Sequence, residues 1–295
     1  MKNKFFKILG IATLGIVMLT GCGSAASNGA GTADNNTQVS DTQKDSTGKV
    51  VAVGSTTVAV PMEGLAEKYK EVTPEVVVEV QGVGSSAGVK AVADGTADIG
   101  MVSRELKENE QNDDFVITTM AYDGIAVVVN PANGVTDLTA AQVKDIFEGT
   151  VTNWSQVGGK DQPVIVVSRE DGSGTRSAFE ELLKLEKEID GKKVSSMSQS
   201  ALIAEGNGTM KATVASKEGA IGFVSLGFID DTVKPVSIDG VQPTVESVKD
   251  GSYSISRPLL LITHKDANSQ VTTFVDYILS DAGQEIVSEK YIPVK

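Results

Sequence analysis

The chain has 295 residues, enough for about two domains or one large one, and its 40% hydrophobic content allows a real core. With 26 basic against 39 acidic residues the formal net charge is −13, which excludes nucleic acid as a general partner and leaves any anion site to local donors. The only cysteine is Cys22 and the only histidine is His264, so no intrachain disulfide can form, no zinc ligand set exists, and neither a metal nor a cofactor is expected.

The amino end reads as a leader. Lys2, Lys4 and Lys7 precede an apolar run, Ile8–Leu19, too short for a comfortable membrane span. It closes on Leu19-Thr20-Gly21-Cys22, similar to a bacterial lipoprotein signal with cleavage after residue 21 and a lipid (palmitate among the expected chains) on the Cys22 sulfur. Residues 22–48 are rich in Ser, Thr, Asn, Gly and Asp and nearly free of large apolar groups. Such a stretch cannot bury enough surface to offset the entropy of ordering, so it reads as a flexible tether. The folded part then faces the extracytoplasmic side of the cell membrane, where nicotinamide cofactors and ATP are scarce.

Val50–Val53 is an apolar strand followed by Gly54-Ser55-Thr56-Thr57. A helix is expected from Pro61 to Tyr69, with Met62, Leu65, Ala66 and Tyr69 on one face. Val76–Val80 is a second strand, Gly82–Gly88 a Gly/Ser-rich turn, and Val89 and Val92 mark a helix ending near Gly95. Ile99–Val102 is a third strand, ending in Ser103-Arg104. Strands alternating with helices imply a parallel sheet covered on both faces. Ligands of such sheets collect at the carboxyl ends of strands, where Thr56, Thr57, Ser85, Ser86 and Ser103 would converge.

Tyr122–Asn130 is a further strand, and Leu138, Val143, Ile146 and Phe147 suggest a helix closed by Gly149. Trp154 reads as a packing residue. The stretch Val164–Leu183 is strand, polar Gly-rich turn and helix: apolar Val164–Val167, then Arg169, Asp171 and Gly172-Ser173-Gly174-Thr175, then Phe179, Leu182 and Leu183 at helical spacing, with Gly191 ending the pattern. Unpaired N–H groups and the dipole at a helix start favour an anion, and Arg169 adds a planar fork of donors. The residues alone also fit a plain cap at Ser173 or Thr175 and a surface cation at Arg169. Ser200–Gly208 is polar, Met210–Ala215 weakly helical, Ala220–Val224 and Tyr253–Thr263 are strands, and Phe274, Ile278 and Leu279 mark a last helix.

Three motif resemblances fail on context. Gly82–Ala87 fits GxGxxA, yet the next strand ends in Ser103-Arg104 and not in an acidic residue. Gly84–Gly88 fits the nucleophile elbow G-x-S-x-G, but its base would have to be His264, beside Lys265 after a strand. Gly172–Thr175 lacks the lysine of a phosphate loop.

Taken together, Gly54–Thr57, GVGSSAGVKAV (Gly82–Val92), DIGMVSREL (Asp98–Leu106), Leu138–Glu180, EGAIGFVSL (Glu218–Leu226) and SISRPLLLITHK (Ser254–Lys265) resemble, in order and spacing, the PstS-type periplasmic-binding-protein family of bacterial phosphate ABC transporters. The resemblance implies an α/β fold of two lobes, each a mixed, mostly parallel sheet flanked by helices, joined by two crossing strands near Tyr122–Gly124 and Tyr253–Arg257. Lobe I would be residues 49–124 plus 257–295 and lobe II 125–256. It implies a monomeric binding protein, not an enzyme, that closes on inorganic phosphate and delivers it to the permease and ATPase of the transporter. Carried over by position, Arg169 is the phosphate-binding arginine, Asp171 the carboxylate that orients it, and Ser173, Gly174 and Thr175 the donors at the helix start. Ser85 belongs to the second turn, and Thr57 with its neighbours Ser55, Thr56 and Val58 to the first. One departure stands out: much of the family has an aspartate where Ser103 falls, to accept the proton of HPO₄²⁻. A hydroxyl both donates and accepts, so sulfate would be rejected less sharply. Arg104 is expected on the ligand, on a carboxylate across the cleft, or on the rim. Other tetrahedral oxyanions, a secreted hydrolase, and a surface sensor or attachment protein are the competing readings.

Overall fold

The computed structural model describes residues 48–295. The expected leader, Cys22 and all but the last residue of the expected tether lie outside the described residues. In chain order the first elements are β1 (Lys49–Gly54), α1 (Thr56–Val72), β2 (Val77–Gly82), α2 (Ser85–Ala93), β3 (Ile99–Val102) and the long β4 (Phe115–Val129). Next come β5 (Asp137–Leu138), α3 (Ala140–Glu148), β6 (Ile165–Arg169), α4 (Gly174–Leu182), β7 (Glu186–Ile189) and β8 (Lys192–Ser195). Then follow β9 (Leu202–Ala204), α5 (Gly206–Ala215), β10 (Ala220–Ser225), β11 (Lys234–Pro235), β12 (Ser237–Ile238) and α6 (Val245–Lys249). The chain closes with β13 (Ser256–His264), α7 (Ser269–Leu279), α8 (Asp281–Ser288) and β14 (Ile292–Pro293).

The main sheet runs β2-β1-β3-β13-β4-β10-β6-β9. Its two flanks are parallel, β1 with β2 and β3 on one side and β6 with β10 and β9 on the other. The centre is antiparallel, where β4 pairs with β13 and then with β10. Around β1 and β3, helices cover both faces of the sheet. Met62, Leu65, Tyr69, Phe274 and Ile278 pack on one face, and Val89, Val92 and Phe115 on the other. Around β10 and β6 a separate cluster buries Phe147, Trp154, Phe179 and Phe223, with Phe179 and Phe223 stacked at 4.2 Å. Each such side chain contributes about 1.5–3 kcal/mol by burial. Trp154 is the expected packing residue, its indole N–H donating to the Gly219 carbonyl at 2.9 Å.

Helix α1 begins at Thr56 and not at Pro61, because the Ser55 hydroxyl caps it by accepting from the Thr57 and Val58 N–H groups. Pro61 then sits inside the helix and cannot donate to the Thr57 carbonyl four residues back. The Tyr291 hydroxyl donates there instead, at 3.2 Å. Gly191 does not end α4, which stops at Leu182. It turns the hairpin β7–β8, where Asp190 and Gly191 have φ of 51° and 72°, the left-handed pair of a two-residue hairpin turn. Helix α7 is followed by α8, so it is not the last.

Candidate functional site

The carboxyl ends of β1, β2, β6 and β9 each turn directly into a helix, so α1, α2, α4 and α5 present their N-termini there. The first turns meet. Thr57 Oγ1 of α1 lies 3.4 Å from Thr175 Oγ1 of α4. Asn207, in the first turn of α5, donates from Nδ2 to Thr56 Oγ1 at 3.1 Å and Thr57 Oγ1 at 3.0 Å. Ser85, the first residue of α2, accepts from the Ser103 N–H at 3.1 Å. Gly174 starts α4 so close to Ser85 and Ser103 that a Cβ on it would lie 2.2 Å and 2.6 Å from their hydroxyls. Four positive helix ends thus converge on a ring of buried hydroxyls, a setting that favours an anion.

Arg169 ends β6 and is 1% exposed. Its Nε and Nη2 donate to Glu170 at 2.8 and 2.7 Å, while Nη1 is buried and has no partner among the described residues. Glu170 also accepts from the Gly206 N–H at 3.2 Å. Burial raises the Glu170 pKa, but the hydrogen bonds and charge of Arg169 outweigh it and hold the carboxyl below its usual range.

Of the sequence-derived residues, Thr57, Ser85, Ser103, Gly174 and Thr175 come together, and Arg169 closes β6, the strand that leads into α4. Ser55 and Ser173 are present but act as helix caps, Ser173 accepting from the Arg176 N–H. Asp171 is a correction: its side chain is 98% exposed and pairs with Arg176 at 2.7 Å. Alternation along a strand would put residues 169 and 171 on one side, but β6 stops at Arg169, so Glu170 folds back onto the guanidinium instead. Arg104 is not an exposed rim charge. It is 3% exposed and grips Glu110 with Nη1 at 2.6 Å and Nη2 at 2.8 Å. His264 stands seven residues from Arg257 along β13, roughly 23 Å for a strand, and bonds Asp266. It cannot serve Ser85 as a base.

Sequence reasoning missed Glu170, Asn207 and a buried pair, Asp123 with Arg257. These two are opposed in register on β4 and β13, 0% and 3% exposed, with Nη2 2.9 Å from Oδ2. Burial pushes the Asp123 carboxyl up, while Arg257 and the hydrogen bonds of Ser225 and Leu226 pull it down. The available signal was one acidic and one basic residue inside mostly apolar strands, since buried charges are paired.

This fold, with an anion-seeking pocket built from strand ends, is that of a two-lobe periplasmic binding protein. The family model of the PBP superfamily domain matches residues 32–282. Over 298 residues the chain is 32% identical to the phosphate-binding protein PstS of Bacillus subtilis (strain 168), spanning 99% of this chain and 95% of that protein. Among solved structures, a substrate-binding protein from Clostridium perfringens with bound phosphate superposes with a TM-score of 0.79 at 42% identity, covering 84% of this chain and 100% of that one. An ABC-type phosphate transport receptor from Vibrio cholerae gives 0.70 at 40% identity, covering 83% and 100%. The chain belongs to the PBP superfamily and, within it, to the PstS-type phosphate-binding proteins.

Proposed function

We propose that this chain captures inorganic phosphate between two lobes, residues 49–124 plus 257–295 and residues 125–256, and delivers it to the permease and ATPase of a phosphate ABC transporter. The observation that carries the reading is Arg169 Nη1: a buried guanidinium donor without a partner among the described residues, at the strand ends where four helix N-termini meet. The neighbouring donors are Thr57, Ser85, Ser103 and the start of α4 at Gly174 and Thr175. Each hydrogen bond to a charged group contributes about 1.5–3 kcal/mol, so a few of them reach the roughly 8 kcal/mol of micromolar affinity. The function is binding and release, not bond cleavage, and the chain acts as a monomer. The lobes close about the paired strands β4 and β13, as hinged binding proteins do. A lipid on Cys22 holds the chain to the extracytoplasmic face of the cell membrane, as the Leu19–Cys22 pattern supports.

The test is calorimetric titration of the full-length chain, freed of carried-over ligand, with phosphate. One-to-one binding at micromolar affinity or better is expected, and no binding refutes the reading. For the anchor, a Cys22→Ala chain that stays in the membrane fraction and still incorporates labelled palmitate would refute lipidation there.

A further inference from the structure

The Asp123–Arg257 pair is more than a tie between β4 and β13. Asp123 Oδ2 accepts from Arg257 Nε at 3.3 Å and Nη2 at 2.9 Å, and Oδ1 accepts from the Leu226 N–H at 3.2 Å. The donors left on Arg257 go to hydroxyls of the site. Nη1 reaches the Ser103 carbonyl at 2.9 Å and Ser103 Oγ at 3.3 Å, and Nη2 reaches Thr57 Oγ1 at 3.2 Å.

A hydroxyl has one hydrogen to give and two lone pairs to accept with. Thr57 Oγ1 receives Arg257 and Asn207, which fills both. Ser103 Oγ receives Arg257 and the Ser55 hydroxyl, the latter at 2.9 Å. Ser55 has no other way to turn, because its lone pairs cap the Thr57 and Val58 N–H groups. What Thr57 and Ser103 have left to offer is hydrogen, directed toward Thr175 Oγ1 and Ser85 Oγ, each 3.4 Å away. The carboxylates beside the ring are engaged as well, the buried Asp123 by Arg257 and the partly buried Glu170 by Arg169 and the Gly206 N–H.

We infer that Arg257, held by Asp123, is a specificity-setting positioning residue: by filling lone pairs of Ser103 and Thr57 it leaves these two hydroxyls as donors only, so at their positions the site reads a tetrahedral dianion by charge and size and not by the proton phosphate carries. This rests on the phosphate-site reading above. A site built to accept a ligand hydroxyl rejects the analogue without it by about 10⁴–10⁵. With Thr57 and Ser103 unable to accept, that rejection is weakened and sulfate becomes a competing ligand.

The experiment is competitive titration of the full-length chain and its Arg257→Lys and Asn207→Ala variants with phosphate and sulfate at two pH values. For the unaltered chain the inference expects sulfate to bind within about a thousandfold of phosphate. It also expects sulfate affinity to be flat with pH, while phosphate affinity rises as the dianion replaces the monoanion. Lysine keeps the charge opposite Asp123 but cannot span both hydroxyls, so a freed lone pair should raise the phosphate-to-sulfate ratio at least tenfold. Asn207→Ala frees a lone pair on Thr57 with the ion pair intact and should move the ratio the same way, which keeps the test decisive if Arg257→Lys does not fold. Sulfate rejection beyond about 10⁴ in the unaltered chain, or an unchanged ratio in the folded variants, overturns the inference. Binding of neither anion would instead refute the phosphate-site reading itself.

Discussion

Replacing Arg169 with alanine gives the most direct test of the site. The side chain is 1% exposed and holds Glu170 through Nε and Nη2, leaving Nη1 as the donor for an anion. Loss of one such bond to a charged partner costs about 1.5–3 kcal/mol, roughly ten- to a hundredfold in affinity. The substitution also leaves the Glu170 carboxylate without its guanidinium, next to the incoming anion, and the loss should therefore exceed a hundredfold. A cycle with Glu170→Gln separates the two effects, since the amide keeps the Gly206 contact without the charge. Isothermal calorimetry should find the double variant tighter than Arg169→Ala and still at least tenfold weaker than the unaltered chain. If Arg169→Ala binds phosphate within about threefold of the unaltered chain while folded, the assignment of Nη1 to the anion is wrong.

Tyr291→Phe strips the Thr57 carbonyl of the donor that stands in for Pro61. Denaturant melts should show a loss of about 1–3 kcal/mol, a loss that shrinks when Pro61→Ala restores the helical N–H; equal losses in both backgrounds would contradict the substitution of one donor for the other. Gly174→Ala places a methyl 2.2 Å from Ser85 Oγ and 2.6 Å from Ser103 Oγ, so phosphate binding should fall at least tenfold by titration while the melting temperature holds within a few degrees. Unchanged affinity would mean that these turns need not approach. Burial raises the Glu110 pKa, but the hydrogen bonds and charge of Arg104 outweigh it and bring the carboxyl below its ordinary value of 4.5. A depressed folded pKa stabilises above the unfolded value and loses that stability as pH falls through the folded one. Melts from pH 6 down to 3 should therefore show a steeper acid loss in the unaltered chain than in Glu110→Gln, and parallel curves would refute the pairing.

Local chemistry made much of the molecule legible from sequence. Apolar runs set β1, β3, β6 and β10 nearly residue for residue, since a buried strand needs little beyond its own side chains. The Gly/Ser-rich turns after β2 and β6 announced helix starts, because small and hydroxylic residues are what a tight strand-to-helix turn and its cap require. Thr57, Ser85, Ser103, Arg169, Gly174 and Thr175 were named on that ground and lie together. Lost to the sequence were the partners supplied from afar. Asp123 and Arg257 meet across 134 positions, Asn207 and Thr57 across 150, and Tyr291 and Thr57 across 234. Even Glu170 against Asp171 was settled only where β6 ends and side-chain alternation ceases. Periodicity and turn chemistry act over a few residues and so are written in the chain locally. The pairing of a buried charge, or the direction in which a hydroxyl hydrogen points, depends on which strands the sheet sets side by side, and that is decided only when the whole chain has packed.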